Sequence, residues 1–523
     1  MEKRLLLGLS KNQLFGAILI LGTLLIYAPS LFFQFLYYDD NLYVFENLPI
    51  QSGFTADFFK WVLTANVSSN WHPLTLVLHT LDWQLYGNWA GGHHLTSVIL
   101  HAINALLVFL LFLRMTNSAG KSFLLAAFFA WHPVKVESVA WVAERKDVLS
   151  TLFALLAIHV YVRSIKSNSK LTLAALTSSL ALFACSLMSK PMYVTLPLIL
   201  FLFDFWPLAR NDKTIYFKII EKIPFCVLSA ASCWVTLQYQ SASGSVHHFA
   251  DAAPWIRIAT LAQAYWDYIA LFFWPSKLSI FYPYIPIPHP LASAVLGFFL
   301  VLFTGWLWTQ RKKIAAVWIG WLIFITGLLP VIGIVNVGAH WIACRYLYWP
   351  STGLAIMAVW GIESVIIKFN LQKKMVLILG ILGIAIYTLI GSNYLSHWQN
   401  TFTLFNYCLK NEPNAWALHA NLHTAYGREG KHEEAAAHLI QAIGILPEYE
   451  NRAKLIWFDY FMMGKVFWMH GETQQAVNRF KKAKHILDSI PDNLLAAETL
   501  SERTQLNNCL AADNSKNLNE CKF

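Results

Sequence analysis

The chain has 523 residues, of which 57% are hydrophobic and only 13% charged, with a mean hydropathy of +0.46; a soluble globular protein has about a quarter of its residues charged, so that class is excluded. The net charge of +10 lies mostly in short basic clusters between apolar runs, the pattern of cytoplasmic loops, and calls for no nucleic acid partner. The seven cysteines show neither metal-ligand spacing nor a paired framework. Cys185, Cys226 and Cys233 fall in apolar stretches as packing residues, and Cys408, Cys509 and Cys521 lie in a polar tail where a disulfide between two of them is an open choice.

The first apolar run, 13–36, follows Lys3, Arg4 and Lys11. It is too long for a signal-peptide core and has no small-residue cleavage site, so it reads as a retained helix with a cytoplasmic N-terminus. It ends in Tyr37-Tyr38-Asp39-Asp40-Asn41. Two adjacent carboxylates at the end of a membrane helix are costly in lipid and useful where they face a wet cavity. Further apolar runs predict spans at about 95–114, 121–139, 147–165, 171–189, 192–209, 222–240, 291–309, 314–334, 348–367 and 374–393. Segment 254–275 is apolar enough to be a twelfth, but Arg257, Thr260, Gln263 and Asp267 share one helical face, the mark of a helix lying in the interface. Leaving it out keeps Arg311-Lys312-Lys313, Lys368, Lys373 and Lys374 cytoplasmic, and that bias gives eleven spans and a tail outside the cytoplasm.

On this topology several polar clusters share the outer face. They are Asp39-Asp40 with Trp71-His72-Pro73-Leu74-Thr75, then His132-Pro133-Val134-Lys135-Val136-Glu137 leading into Glu144-Arg145-Lys146-Asp147. Ser189-Lys190-Pro191 follows, and then His340, Arg345, Tyr346 and Tyr348. Transfer of a sugar from a polyprenyl phosphate to a hydroxyl needs a base at the acceptor, which a carboxylate supplies, and cations on the departing phosphate. Bland readings stand beside this one. Asp39-Asp40 also fits a solvated loop start or a cap, the Arg145–Asp147 run an interfacial anchor, and Lys190 a snorkelling helix end. His72, His93, His94, His101 and His132 lack a tight ligand pattern and read as hydrogen-bonded packing residues; His247-His248 reads as solvated, and no metal site is expected.

From about residue 400 the composition turns polar and helical. Residues 416–447 carry Leu422, Tyr426, Gly430, Ala435, Leu439, Ala442 and Pro447 at tetratricopeptide spacing, and a second unit over about 457–490 carries Met463-Gly464, Phe467, Gly471, Ala476, Phe480 and Ala483. The two units are 41 residues apart rather than about 34, which places an insertion near 448–455. A helix near 492–510 would cap the stack.

The order of Asp-Asp loop, His-Pro-x-x-x-Glu, Arg-x-Asp, Lys and Arg-x-x-Tyr-x-Pro-Ser, followed by repeats, resembles the transmembrane and tetratricopeptide-repeat-containing O-mannosyltransferase family in its bacterial branch. The resemblance rests on Trp71–Thr75, His93–Leu95, His132–Asp147, Lys190 and Arg345–Gly353 and covers nearly the whole chain. It implies an all-α fold: a polytopic membrane bundle of the GT-C glycosyltransferase type over 1–393, with about eleven spans, and a tetratricopeptide domain over 394–523. It further implies a polyprenyl-phosphate sugar as co-substrate with no other cofactor required, and a hydroxyl acceptor on a protein or peptide recruited by the repeats. Asp39 or Asp40 would sit at the reacting centre, with Arg145, Lys146, Lys190 and Arg345 on the donor phosphate. His72, His132, Glu137, Asp147 and Tyr348 would support them. The setting implied is a bacterial inner membrane with the repeats in the periplasm. Relatives carry an acidic residue before the arginine matching Arg345, where this chain has Cys344, removing a carboxylate that could orient that arginine. The competing readings are a non-catalytic membrane scaffold acting through its repeats and, last, a transporter, for which no inverted repeat of spans is found.

Overall fold

A computed structural model describes residues 10–168, 170–242, 246–247, 254–283, 290–334, 336–337, 340–369, 372–452, 455–490 and 502–510. The fold is all-α. Among these residues the only sheet is a two-residue antiparallel ladder pairing Val246 with Val337 and His247 with Asn336, so His247 is in a ladder, while His248 lies outside the described residues. The chain forms two compact units, Met1–Leu404 and Phe405–Phe523.

The first unit is a membrane bundle. Among the described residues five helices are long and apolar enough to cross a bilayer: Lys11–Phe32, Ala90–Thr116, Val142–Ser167, Pro290–Gln310 and Ile378–Gln399. A sixth candidate is the pair Ala119–Trp131 and Pro133–Ala140, bent by 54° where Pro133 interrupts the ladder. Shorter apolar helices occupy Leu173–Ser189, Pro191–Phe205, Ala315–Leu328 and Ser351–Glu363. Each of the eleven expected segments is therefore helical, and the seventh is Ile223–Ala242. Ala90–Thr116 and Val142–Ser167 are the most enclosed of the long helices and pack together at the centre. Pro290–Gln310 stands at the periphery and turns Phe298, Phe299, Val301, Leu302, Trp306 and Trp308 outward, as a lipid-facing helix does.

The helix Pro254–Phe273 does not use its polar stripe as expected. Gln263 bonds Asp267 at 2.8 Å and accepts from Ser293 at 3.1 Å, and Asp267 accepts the Trp341 indole N–H at 2.8 Å. Gln263 and Asp267 therefore face protein, because polar groups in an apolar helix are satisfied as well by neighbouring side chains as by an interface, while Arg257 at the start of the stripe is exposed. Elsewhere two helices close to backbone contact. A Cβ on Gly353 would lie 2.4 Å from the Gly320 carbonyl oxygen, so Ala315–Leu328 and Ser351–Phe369 meet through two small residues.

The first unit extends past residue 393 because the chain there is pinned to the first loop. The Gln399 carbonyl accepts from Gln34 N at 2.9 Å, Thr401 Oγ1 accepts from Tyr37 N at 2.9 Å, and Trp398 is fully buried. The second unit holds two helical hairpins, Trp416–Arg428 with His432–Ile445 and Trp457–Met469 with Thr473–Leu487, each turning at a glycine of positive φ, Gly430 and Gly471. Gly464 lets Phe480 lie flat against its helix: a Cβ there would meet the ring at 2.4 Å. The short helix Tyr449–Arg452 occupies the extra length between the hairpins. Residues 502–510 are helical and add Leu506 and Cys509 to this core; 492–501 of the expected cap lie outside the described residues. Cys509 is disulfide-bonded.

Candidate functional site

The site is built where three breaks in the helices come together. The first follows Lys11–Tyr27: a short turn Ala28–Phe32 runs into Tyr37–Asp40. The second is the segment 132–147, buried throughout, where short helices Pro133–Lys135, Val136–Ala140 and Val142–Glu144 lead into Arg145–Asn168. Such broken backbone is tolerated at membrane depth only when protein surrounds it. The third is Ser189-Lys190-Pro191, where Pro191 ends Leu173–Ser189 by forcing Lys190 into an extended conformation. The Lys190 carbonyl is held by the Ser150 hydroxyl at 2.9 Å and the Ser189 carbonyl by the Thr75 hydroxyl at 2.9 Å.

The two aspartates play different parts. Asp40 is fully buried and accepts backbone N–H groups with both oxygens, Leu36 at 2.8 Å and Ala143 at 2.7 Å. It is a bracket between the first loop and the 132–147 segment, helped by the Trp141 indole N–H, which donates to the Tyr38 carbonyl at 2.9 Å. Burial pushes its carboxyl up to about 7 against the pull of those two backbone donors. Asp39 is only half-buried, and its backbone is left-handed at φ 67°. Its Oδ1 accepts the Ser68 hydroxyl at 3.0 Å, and among the described residues no hydrogen bond reaches Oδ2.

Beyond this loop lies a buried ionic cluster of Glu137, Glu144 and Asp147 with Lys146, Lys190 and Arg345. Glu144 is its hub. It pairs closely with Lys190, lies 3.3 Å from Lys146 Nζ and 4.0 Å from Arg345 Nε. Asp147 lies 2.7 Å from Lys190 and accepts from the Ser138 hydroxyl at 3.1 Å. Arg345 is gripped by Glu137 at 2.5 Å and reaches His340 at 3.3 Å, so the carboxylate that Cys344 lacks is supplied by Glu137 from another element. That neighbour holds the Arg345 guanidinium well above its ordinary value, and burial beside it brings His340 down to about 3. Lys146 rests over the Tyr43 ring at 4.7 Å. A narrow cleft opens beside the cluster, polar at Asp147 and Arg345 and apolar at Met192, Tyr193, Trp349 and Pro350.

His72 belongs to this neighbourhood. It is buried, its Nδ1 has no partner among the described residues, and burial together with Lys146 and Lys190 holds the imidazole well below its ordinary range. Glu137 Oε2 is likewise without a partner among the described residues. Three expected residues lie apart. Arg145 is fully buried and points into the bundle, its donors taken by Asp82 at 2.5 Å, Ser97 at 3.1 Å and the His93 carbonyl at 2.5 Å. His132 stacks on Phe272 at 4.6 Å and bonds its carbonyl at 2.9 Å. Tyr348 lends its ring to the cleft, but its hydroxyl is tied to His101 at 2.7 Å. Glu144 and His340 stand in the outer-face clusters read from the sequence, but the sequence gives neither of them a role in the site. The Glu144–Asp147 run is where a signal existed, since residues 144, 146 and 147 turn to the cluster as 145 turns away. Among the described residues no group of three His, Cys, Asp or Glu side chains is arranged to hold a metal.

The apolar helices, the broken segments and the enclosed ionic cluster define a polytopic membrane protein with a charged site at one end of the bundle. Comparison with known proteins narrows the class. The chain is 23% identical over 512 residues to Protein O-mannosyl-transferase TMTC3 of Homo sapiens, covering 89% of this chain and 54% of that protein. It is 23% identical over 421 residues to Protein O-mannosyl-transferase F38B6.6 of Caenorhabditis elegans, covering 77% and 58%. It is 30% identical over 178 residues to Protein O-mannosyl-transferase Tmtc2 of Drosophila melanogaster, covering 32% and 19%. Over most of its length the chain is TMTC-like, and it spans about half the length of the human TMTC3 and TMTC1 proteins it matches. No family model matches, and no solved structure matches.

Proposed function

We propose that the chain is a membrane glycosyltransferase that moves a sugar from a polyprenyl-phosphate donor to a hydroxyl on a protein or peptide. The observation that carries this is a half-buried carboxylate, Asp39, presented beside an enclosed cluster in which Lys146, Lys190 and Arg345 converge from three separate segments. The names of the relatives support the reaction class.

In this reading the acceptor oxygen attacks the anomeric carbon, and its proton passes to Asp39. The bond from that carbon to the phosphate oxygen breaks, and the polyprenyl phosphate leaves with the electron pair. Arg345, Lys190 and Lys146 hold the departing phosphate, Arg345 as a planar fork and the lysines as point charges. The carboxylates that neutralise these cations, Glu144 above all, give way to the phosphate when it enters. Arg145 stays out of the phosphate site and fixes the turn that aims its neighbours.

The second unit is read as a pair of tetratricopeptide repeats that recruit the acceptor. The N-terminus is cytoplasmic and the tail periplasmic, in a bacterial inner membrane.

The test incubates the purified full chain with a panel of radiolabelled polyprenyl-phosphate hexoses and a periplasmic extract, following transfer to protein. Wild type is expected to label protein, with Asp39→Asn lowering the rate by about 10² or more, as for loss of a general base. Absence of transfer with every donor, or an undiminished Asp39→Asn enzyme, overturns the reading in favour of a scaffold.

A further inference from the structure

Three of the five non-glycine residues with positive φ among the described residues meet at one point: Asp39 at 67°, Ser68 at 50° and Ser69 at 63°. Ser68 and Ser69 are the two central residues of a tight hairpin closed by Val67 N to the Asn70 carbonyl at 3.1 Å and Asn70 N to the Val67 carbonyl at 3.0 Å. A two-residue turn with both φ values positive is the place for Asn-Gly, because a side chain there crowds the backbone. Serine at both positions is strained, and such strain persists where the surroundings over-determine it and where function uses it.

The use is visible at the other end of the Ser68 side chain. Its hydroxyl donates to Asp39 Oδ1 at 3.0 Å across a separation of 29 residues. The turn is in turn tied down from below: the Val67 carbonyl accepts the Tyr43 hydroxyl at 3.2 Å, and the Asn70 side chain donates to the Ser68 carbonyl at 2.5 Å. Tyr43 is the ring on which Lys146 rests. One path of contacts therefore runs from the phosphate cluster through Tyr43 and the turn to the carboxylate.

We propose that Ser68 is a positioning residue for Asp39, an assignment that rests on the transferase reading above. Its hydroxyl occupies Oδ1 and fixes the carboxylate plane, leaving Oδ2 to receive the proton of the acceptor hydroxyl. Left-handed Asp39 stands at the entry to the short helix Asn41–Phe45, where its carbonyl accepts from Tyr43 N at 2.9 Å, and its side chain is held by a donor delivered from a second strained turn. Ser68 touches neither donor nor acceptor; it acts through Asp39.

Glycine separates the two roles of this residue. Ser68→Gly relieves the backbone crowding at φ 50° and deletes the hydroxyl, while Ser69→Gly relieves the neighbouring position and leaves the Ser68–Asp39 bond in place. With the full chain in detergent and the best hexose donor of the panel, Ser68→Gly is expected to keep or raise the wild-type Tm and to lose roughly ten- to hundred-fold in kcat with donor KM unchanged. Ser69→Gly is expected to match wild type in kcat and KM. A turn with a purely structural task predicts full activity for both glycine variants, and that result overturns the assignment while leaving the transferase reading standing. A Ser68→Gly enzyme that loses activity through donor KM also overturns it, because Ser68 would then shape the donor site. A wild-type chain that turns over no donor removes both readings together.

Discussion

Two buried ionic networks sit near opposite ends of the same helix, Arg145–Asn168, and differ in what they leave unsatisfied. Asp147 and Tyr161 are separated by about 21 Å along that helix at 1.5 Å per residue. Around Tyr161 no buried side-chain nitrogen or oxygen lacks a partner among the described residues. Arg210 forks onto Glu221 at 2.6 and 3.1 Å and reaches Asp204 at 3.2 Å, Lys222 closes on Asp204 and donates to Tyr161 at 2.7 Å, and Tyr161 donates to Asp204 at 2.8 Å. The Arg210 fork holds the Glu221 carboxyl below its usual range. Around Asp147 the charges also balance, but His72 Nδ1 and Glu137 Oε2 have no partner among the described residues, Lys146 leans on aromatic rings, and a cleft adjoins. A closed network rigidifies a bundle; one with spare donors and acceptors beside a cleft can take a ligand. Buried charge alone therefore does not mark a ligand site, and neither does spare capacity alone, since His79, His93 and His94 near Arg145 also carry unpartnered atoms among the described residues; the two together beside a cleft do.

Breaking the closed network gives the largest expected change in stability. Asp204→Ala takes the closest partner from Lys222 and leaves Arg210 only its Glu221 fork, and is expected to cost about 3–5 kcal/mol, seen as a large fall in Tm, while the folded fraction transfers sugar at the wild-type rate. The open network predicts the reverse. Lys146→Met keeps the stem packed on Tyr43 and leaves Glu144 paired with Lys190 and near Arg345, so its Tm is expected to fall less than that of Asp204→Ala, yet it should lower transfer about 10²-fold through lost phosphate stabilisation, worth roughly 3 kcal/mol in the transition state. Equal effects of the two substitutions on Tm and on rate would erase the distinction.

Packing near the open network gives a smaller effect. Gly353→Ala places a methyl against the Gly320 carbonyl and is expected to destabilise by about 1–3 kcal/mol, because backbone cannot step aside as a side chain can. The helix that moves begins at Ser351, six residues after Arg345, so activity should fall as well. Gly464→Ala in the second unit meets a Phe480 ring instead, and its thermal shift is expected to be the smaller of the two, with the transfer rate to a free peptide unchanged.

The smallest effect is a pH dependence in the second unit. His438 stacks on Tyr426 and touches His419 at 2.9 Å; burial, then His419 and His423, bring it down to about 4. Its folded value lies below the unfolded one of about 6.5. The unfolded chain therefore binds the proton first, and stability drops as pH falls from about 7 toward 4. The Tm of the tail should decline over that window, and His438→Phe should flatten the decline.

Much of this was legible in the sequence, for physical reasons that also explain the rest. Apolar length located the eleven apolar helical segments, because transfer from water to lipid is a summed property of a window, while the more polar helices Ala56–Thr64 and Pro73–Tyr86 of the first long loop gave no such signal. Spacing of small and large residues located both hairpins, since Gly430, Gly464 and Gly471 are dictated locally. Asp39, Lys146, Lys190 and Arg345 were legible as charges that an apolar chain would not keep without use. What each charge touches was not. Arg145 and Lys146 are adjacent and indistinguishable in the sequence, and only the helix phase at residue 145 sends one to Asp82 and the other to the cluster. The Asp39 and Asp40 roles depend on backbone partners at Leu36 and Ala143 and on a hydroxyl at Ser68, none of which is encoded near the pair's own composition. The polar stripe of Pro254–Phe273 misled for the same reason: amphipathicity reports that a face is satisfied, not by what.

The most direct measurement of the central claim is a cryo-EM structure of the full chain in lipid nanodiscs with polyprenyl phosphate. The account predicts the phosphate within hydrogen-bond distance of Lys190 and Arg345, with Glu144 displaced from Lys190 and Asp39 facing the open side. A phosphate bound elsewhere, with the Glu144–Lys190 pair intact, would contradict it.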